Sequence, residues 1–244
     1  MNEMTGGHTV HAYNDELKHI NQLLERLGEL GRDQLRRAVE SLREGDTKAA
    51  GQVIDRDRDL NDIDVQADEA VIQLIAKRQP MGKDLRDILT VQKVVGELER
   101  VGDEARKVAN LTIHFYDQDK NPPNGQMLLD IYKMADFVDC MLRKSLEAFR
   151  GLDLKKSLDV IKEDDNLYEE YRAALRRLST YVMEDSRNVG CMVDVTLTLR
   201  ALERIGGHAK NIAGHVIFLM TARDVRHESL DTIREEVLVS RPAD

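Results

Sequence analysis

Along residues 126–150 the side chains Met127, Ile131, Met134, Val138, Met141, Ser145 and Ala148 recur at alternating steps of four and three. That spacing tracks one face of an α-helix and asks for partner helices to cover it. The same period runs through 190–222 as Met192, Val195, Leu199, Leu202, Gly206, Ala209, Ala213 and Val216. It runs through 84–117 as Ile88, Val91, Val95, Leu98, Gly102, Ala105, Ala109 and Thr112. Prolines stand at 80, 122, 123 and 242, and with Gly45, Gly82, Gly125 and Gly151 they fall between the periodic stretches. This punctuation predicts six helices near 9–44, 47–78, 84–117, 126–150, 154–185 and 190–222, with a further short helical stretch toward the C-terminus. No run reads as a strand.

The third and sixth stripes are one pattern displaced by 104 positions, residue 98 matching 202. Leu98-Glu99-Arg100-Val101-Gly102 faces Leu202-Glu203-Arg204-Ile205-Gly206, followed by Ala105 and Ala209. Internal duplication is the simplest source of such a match. Between the copies, Asp117 to Gly125 with its Pro122-Pro123 pair cannot continue a helix. The expected fold is therefore all-α: two tandem three-helix bundles related by internal duplication, 1–120 forming the first and 121–244 the second with a C-terminal tail. Gly102 and Gly206 lie on the buried stripes, where glycine costs about 1 kcal/mol relative to alanine; close helix approach is the expected return.

Composition narrows the picture. Hydrophobic residues make up 41% and aromatics only 4%, with no tryptophan, which suits helices sealed by aliphatic side chains. The net charge of -9, with both signs interspersed, offers no basic footprint for nucleic acid or an anionic membrane. The start lacks a basic, apolar leader pattern, and the apolar stretch near Val216 to Met220 is too short to cross a bilayer. A cytoplasmic protein that meets a membrane only through partners is expected. Cys140 and Cys191 have no CxxC spacing and read as small buried hydrophobes. The patterns GxxxxGK[ST], GxSxG and HExxH do not occur, so no catalytic residues are assigned and a non-enzymatic role is expected.

The chemistry that remains is carboxylate. Glu99 and Asp103, four apart, stack on one helical face beside the buried stripe, and Asp57 and Asn61 repeat that spacing on the second helix. If the two pairs face each other, four oxygen-bearing side chains converge as a metal site. An all-oxygen set suits magnesium, calcium, manganese or iron better than a structural zinc, and the sequence does not choose among the five. Composition alone also generates such acidic pairs in a chain that is 33% charged, with Arg100 and Arg106 at hand as neutralisers. In the second half Asp164 and Glu203 remain and His208 is a candidate third ligand, but Tyr168 stands at the counterpart of Asn61 and Gly207 at that of Asp103. His8 and His11 lie toward the terminus and His114, His215 and His227 lack spaced partners, so all five read as structural or solvated.

Several strings taken together resemble the PhoU family of phosphate-uptake regulators. They are Ala76-Lys77-Arg78-Gln79-Pro80, Asp84-Leu85-Arg86, Leu98 to Asp103, Met183-Glu184-Asp185-Ser186-Arg187 and Leu202 to Gly206. The resemblance runs from about Tyr13 to about His227 in order and spacing. It implies two three-helix bundles related by a pseudo-twofold, acidic metal-binding motifs mapping onto Glu99 and Asp103 with Asp57 and Asn61, and partnership with the phosphate importer's ATPase subunit and a PhoR-type sensor histidine kinase. A homodimer is the expected assembly. The implied function is negative regulation of phosphate uptake and of phosphate-starvation signalling. A carboxylate-bridged metal enzyme and a purely structural helical scaffold are the alternatives; the first expects Glu-x-x-His, which does not accompany the acidic pairs.

Overall fold

The computed structural model describes residues 11–116, 123–184 and 189–225, with 228, 232 and 233. It holds α1 (His11–Glu44), α2 (Thr47–Arg78), α3 (Lys83–Phe115), α4 (Gly125–Gly151), α5 (Leu154–Glu184) and α6 (Val189–Thr221), and no strand among the described residues. Every described helix end lies within two residues of its expected place. The start of the first helix, His8, His227, the 117–122 linker and 185–187 of the Met183 string lie outside the described residues, as does most of the expected C-terminal helical stretch, where Ile233 is buried.

Local chemistry sets the boundaries. The Asp46 carboxylate accepts from the backbone N–H of Lys48 and Ala49 at 2.9 and 3.0 Å, opening α2, and Asn124 does the same for α4 from Gln126 and Met127. Helix α2 closes on Gln79 at φ 47°, a left-handed residue wedged before Pro80, and α4 closes on Leu152 at φ 50°. The family strings at this end tie helices together. Arg78 donates two hydrogen bonds to Glu16 of α1, at 2.9 and 3.1 Å. Nearby, the buried Tyr13 phenol is pushed up to about 12, first by burial and then by the charges of Asp84 and Asp87.

Helices α1, α2 and α3 pack on one another, as do α4, α5 and α6, and the two bundles join where α3 meets α6 and α1 meets α4. Helices α3 and α6 run antiparallel: Glu97 of α3 pairs with His208 of α6, while His114, further along α3, pairs with Asp194, earlier on α6. A continuous aliphatic core runs through both bundles.

The duplication is legible in three dimensions at two glycines. A Cβ built on Gly102 would lie 2.5 Å from Cδ2 of Leu60, and one on Gly206 would lie 2.0 Å from Cδ2 of Leu167. Leu60 and Leu167 occupy matching places on α2 and α5, so each half closes by the same leucine seated over the same glycine. Gly207, next along α6, has open space where its Cβ would stand. Two neighbouring glycines should therefore respond oppositely to alanine. Gly207→Ala should stabilise by about 0.5–1 kcal/mol through helix propensity. Gly206→Ala should destabilise by about 1 kcal/mol, because overpacking of ~1–3 kcal/mol outweighs the same propensity gain. Thermal melts of the two variants beside the parent check the order.

Candidate functional site

Seating Leu60 over Gly102 fixes the register of α2 against α3, and Asp57, one turn earlier on α2, lands beside Arg106, one turn later on α3. Arg106 bridges two carboxylates: its Nε lies 3.1 Å from Asp57 Oδ2, and its Nη2 donates to Asp103 Oδ1 at 2.7 Å. Asp57 is buried, and burial raises its pKa; Arg106 opposes the rise and Asp103 adds to it. Glu99 makes no hydrogen bond or ion pair among the described residues. Burial raises its carboxyl above the usual range, Asp103 and Asp64 push the same way, Arg100 opposes, and Asp57 adds a little more.

Asp64 is the residue that spacing arguments missed. Seven positions after Asp57 it returns to the same helical face, a signal present in the sequence. Its pKa too is raised, by burial and then by Asp68, with Arg100 opposing. Asn61, expected to join the cluster, is exposed instead. With Leu60 turned inward over Gly102, the next residue sits about 100° further round the helix and faces water. Among the described residues no three His, Cys, Asp or Glu side chains are gathered closely enough to hold a metal as they stand. The donor chemistry nonetheless fits a hard cation, since Asp57, Asp64 and Asp103 all lie near enough to act on the charge of Glu99, and one guanidinium contacts two of these four carboxylates.

The second bundle repeats the geometry with different charge. Asp164 pairs with Lys210 Nζ at 2.6 Å, the counterpart of the Asp57 and Arg106 contact. Glu203 pairs with Arg200 of its own helix at 2.9 Å, and Tyr168 is about half exposed with Arg172 over its ring. His208 turns across the seam, its Nδ1 2.7 Å from Glu97 Oε2 on α3. Asp164, Glu203 and His208 all line an open cleft of about 650 Å3, yet each is held by a different protein partner.

Glu97 and Glu104, both buried on α3, were not singled out by sequence reasoning. Glu97 accepts from His208 and, at 3.2 Å, from Asn211, and pairs with Arg100 at 3.4 Å. Burial alone would raise its pKa, but the hydrogen bonds from His208 and Asn211 hold it below the ordinary value. Glu104 takes Lys107 at 2.8 Å and Arg204 of α6 at 3.2 Å. His215, read as structural or solvated, is buried, while Cys140 and Cys191 are half-buried free thiols where full burial was expected.

Comparison with known proteins gives these features a context. The family model described as PhoU domain matches the chain twice, over residues 24–112 and 131–216. A relative from Pseudomonas putida, named phosphate-specific transport system accessory protein PhoU homolog, is 37% identical over 97% of this chain and 91% of its own length. The Escherichia coli K12 protein named phosphate-specific transport system accessory protein PhoU is 30% identical over 97% of this chain and 96% of its own. The crystal structure of PhoU from Pseudomonas aeruginosa superposes with a TM-score of 0.82 at 36% identity, covering 86% of this chain and all of that one. A Streptococcus pneumoniae phosphate transport system regulatory protein PhoU shares the fold at a TM-score of 0.78 and 22% identity, over 87% of this chain and 99% of its own.

The raised pKa of Glu99 carries a stability consequence. The folded state binds this proton more tightly than the unfolded chain, so the associated stabilisation is present at acid pH and is lost as pH rises through the raised folded value. At pH 7, without multivalent cations, Glu99→Gln should be more stable than the parent by about 0.5–1 kcal/mol. The advantage should vanish near pH 4, about the ordinary carboxylate value. Urea unfolding of both proteins across that range measures it.

Proposed function

The chain belongs to the PhoU family, and on that premise we propose that it regulates a phosphate uptake system, restraining import and phosphate-starvation signalling when phosphate is plentiful. The observation that carries this reading is the doubled PhoU domain together with near-full-length relatives named as accessory proteins of the phosphate-specific transport system, a name that denotes no enzyme. In this role the chain is an adaptor between the ATPase subunit of the phosphate importer and a PhoR-type sensor histidine kinase, working in the cytoplasm as a homodimer. Among the described residues no helix is long and apolar enough to cross a membrane, which accords with an adaptor that reaches membrane proteins by docking. A reporter of phosphate-starvation genes in parental, deleted, kinase-deleted and doubly deleted strains tests it. In phosphate-rich medium, deletion should switch the reporter on only where the kinase is present. Full repression in the strain lacking this protein alone would sink the assignment.

The reading extends to a cation in the groove of the first bundle. Glu99 and Asp64 lack ion pairs, and a multivalent cation between them and Asp103 would offset their mutual repulsion. Iron, manganese, calcium and magnesium all suit such oxygen ligands, and zinc is the least suited. At 100 times its dissociation constant a bound ion stabilises by about 2.7 kcal/mol. Added Mn2+ or Ca2+ should shift the parent's melt by that order and leave Glu99→Gln/Asp103→Asn unmoved. Equal shifts in the two proteins would place the ion elsewhere.

A further inference from the structure

We infer that the seam between α3 and α6 is a registered joint, in which Glu97 and Glu104 fix one setting of the second bundle against the first. The two carboxylates are 6% and 5% exposed, seven residues apart, and so stand on one face of α3 two turns from each other. Both are met from α6: Glu97 by His208 at 2.7 Å and Asn211 at 3.2 Å, Glu104 by Arg204 at 3.2 Å. Arg100 and Lys107 of α3 supply the remaining cations. Toward the other end of the seam His114 meets Asp194 at 3.1 Å, with half of the His114 side chain exposed, and otherwise these helices contribute aliphatic residues to the core, among them Val101, Val108, Ala201 and Ile205. Apolar contact of that kind is non-directional and discriminates poorly between neighbouring registers.

The carboxylates do discriminate. Sliding α6 by one turn, about 5.4 Å, carries His208 and Asn211 away from Glu97 and Arg204 away from Glu104. Each buried carboxylate then loses the hydrogen bonds and ion pairs it now makes across the seam, a costly change for a buried charge. The seam therefore has discrete settings rather than a continuum, the property by which packed elements transmit a change from one bundle to the other. Symmetry supplies no second arrangement, because the counterparts of Glu97 and Glu104 are Ala201 and His208: acid lies on α3 and its donors on α6. On the neighbouring pair of helices, Arg32 of α1 grips Asp139 of α4 through two hydrogen bonds at 3.0 and 2.9 Å, the competing candidate for the same role.

The full chain tests this with Cys140 and Cys191 replaced by serine and spin labels at Gln73→Cys on α2 and Glu169→Cys on α5, both exposed. Diluted with excess unlabelled protein so that distances between protomers drop out, the doubly labelled parent should give one narrow distance by double electron-electron resonance. Glu97→Leu/Glu104→Leu should stay helical and cooperatively folded while its distance distribution broadens or splits by about one helical turn. Arg204→Glu, which sets a carboxylate against Glu104, should shift the distribution likewise and decides the matter should the leucine variant fail to fold. A single narrow distance identical to the parent's in both folded variants overturns the proposal and assigns the register to Arg32 and Asp139.

Discussion

The closeness of helix pairs in this protein depends on the absence of two side chains. Where α2 crosses α3, and again where α5 crosses α6, a leucine occupies the volume that a Cβ on Gly102 or Gly206 would need. A leucine and a glycine make a contact that is specific in register, because moving either helix by a residue presents a side chain where none fits. Asp57 reaches Arg106, and Asp164 reaches Lys210, because each acid precedes its leucine by one turn and each cation follows its glycine by one. The polar geometry of both grooves is thus a consequence of apolar packing, and the about 1 kcal/mol that each glycine forfeits in helix propensity is offset there.

After that common frame the halves diverge in electrostatics. The first groove keeps acids in excess, with Glu99 raised in pKa by burial and then by Asp103 and Asp64, and Asp64 raised by burial and then by Asp68. The second has its acids matched one to one by Lys210 and Arg200, and Gly207 removes the carboxylate that Asp103 supplies in the first. Two helix pairs closed by the same leucine and glycine thus offer opposite environments to an approaching cation, one under-neutralised and one already satisfied.

Much of this fold was written plainly in the chain. The stripes from Met127 to Ala148 and from Ile88 to Thr112 set which faces are buried, proline and glycine set where helices stop, and the displacement of 104 exposed the duplication. Periodicity says that a face is covered, but not by which helix. Glu97 and Glu104 therefore passed as ordinary charges on a long helix, although each is buried against α6, and His208 was placed with Asp164 when its partner lies more than a hundred residues away. Asn61 is exposed for a local reason, since a spacing of four does not say which of two adjacent residues the neighbouring helix admits, and Leu60 took that place.

The one-sided seam also constrains how the two helices tolerate change. A single bundle pairing with a copy of itself must use every seam residue twice, once on each side of the twofold, so an acid and its donor have to coexist on one helix. Glu104 and Arg204 meet that condition, because Arg100 stands at the counterpart of Arg204. In one chain the condition need not hold, and Glu97 departs from it, with Ala201 at its own counterpart. The two helices therefore form a matched set, in which a substitution at Glu97 is judged against residues 208 and 211.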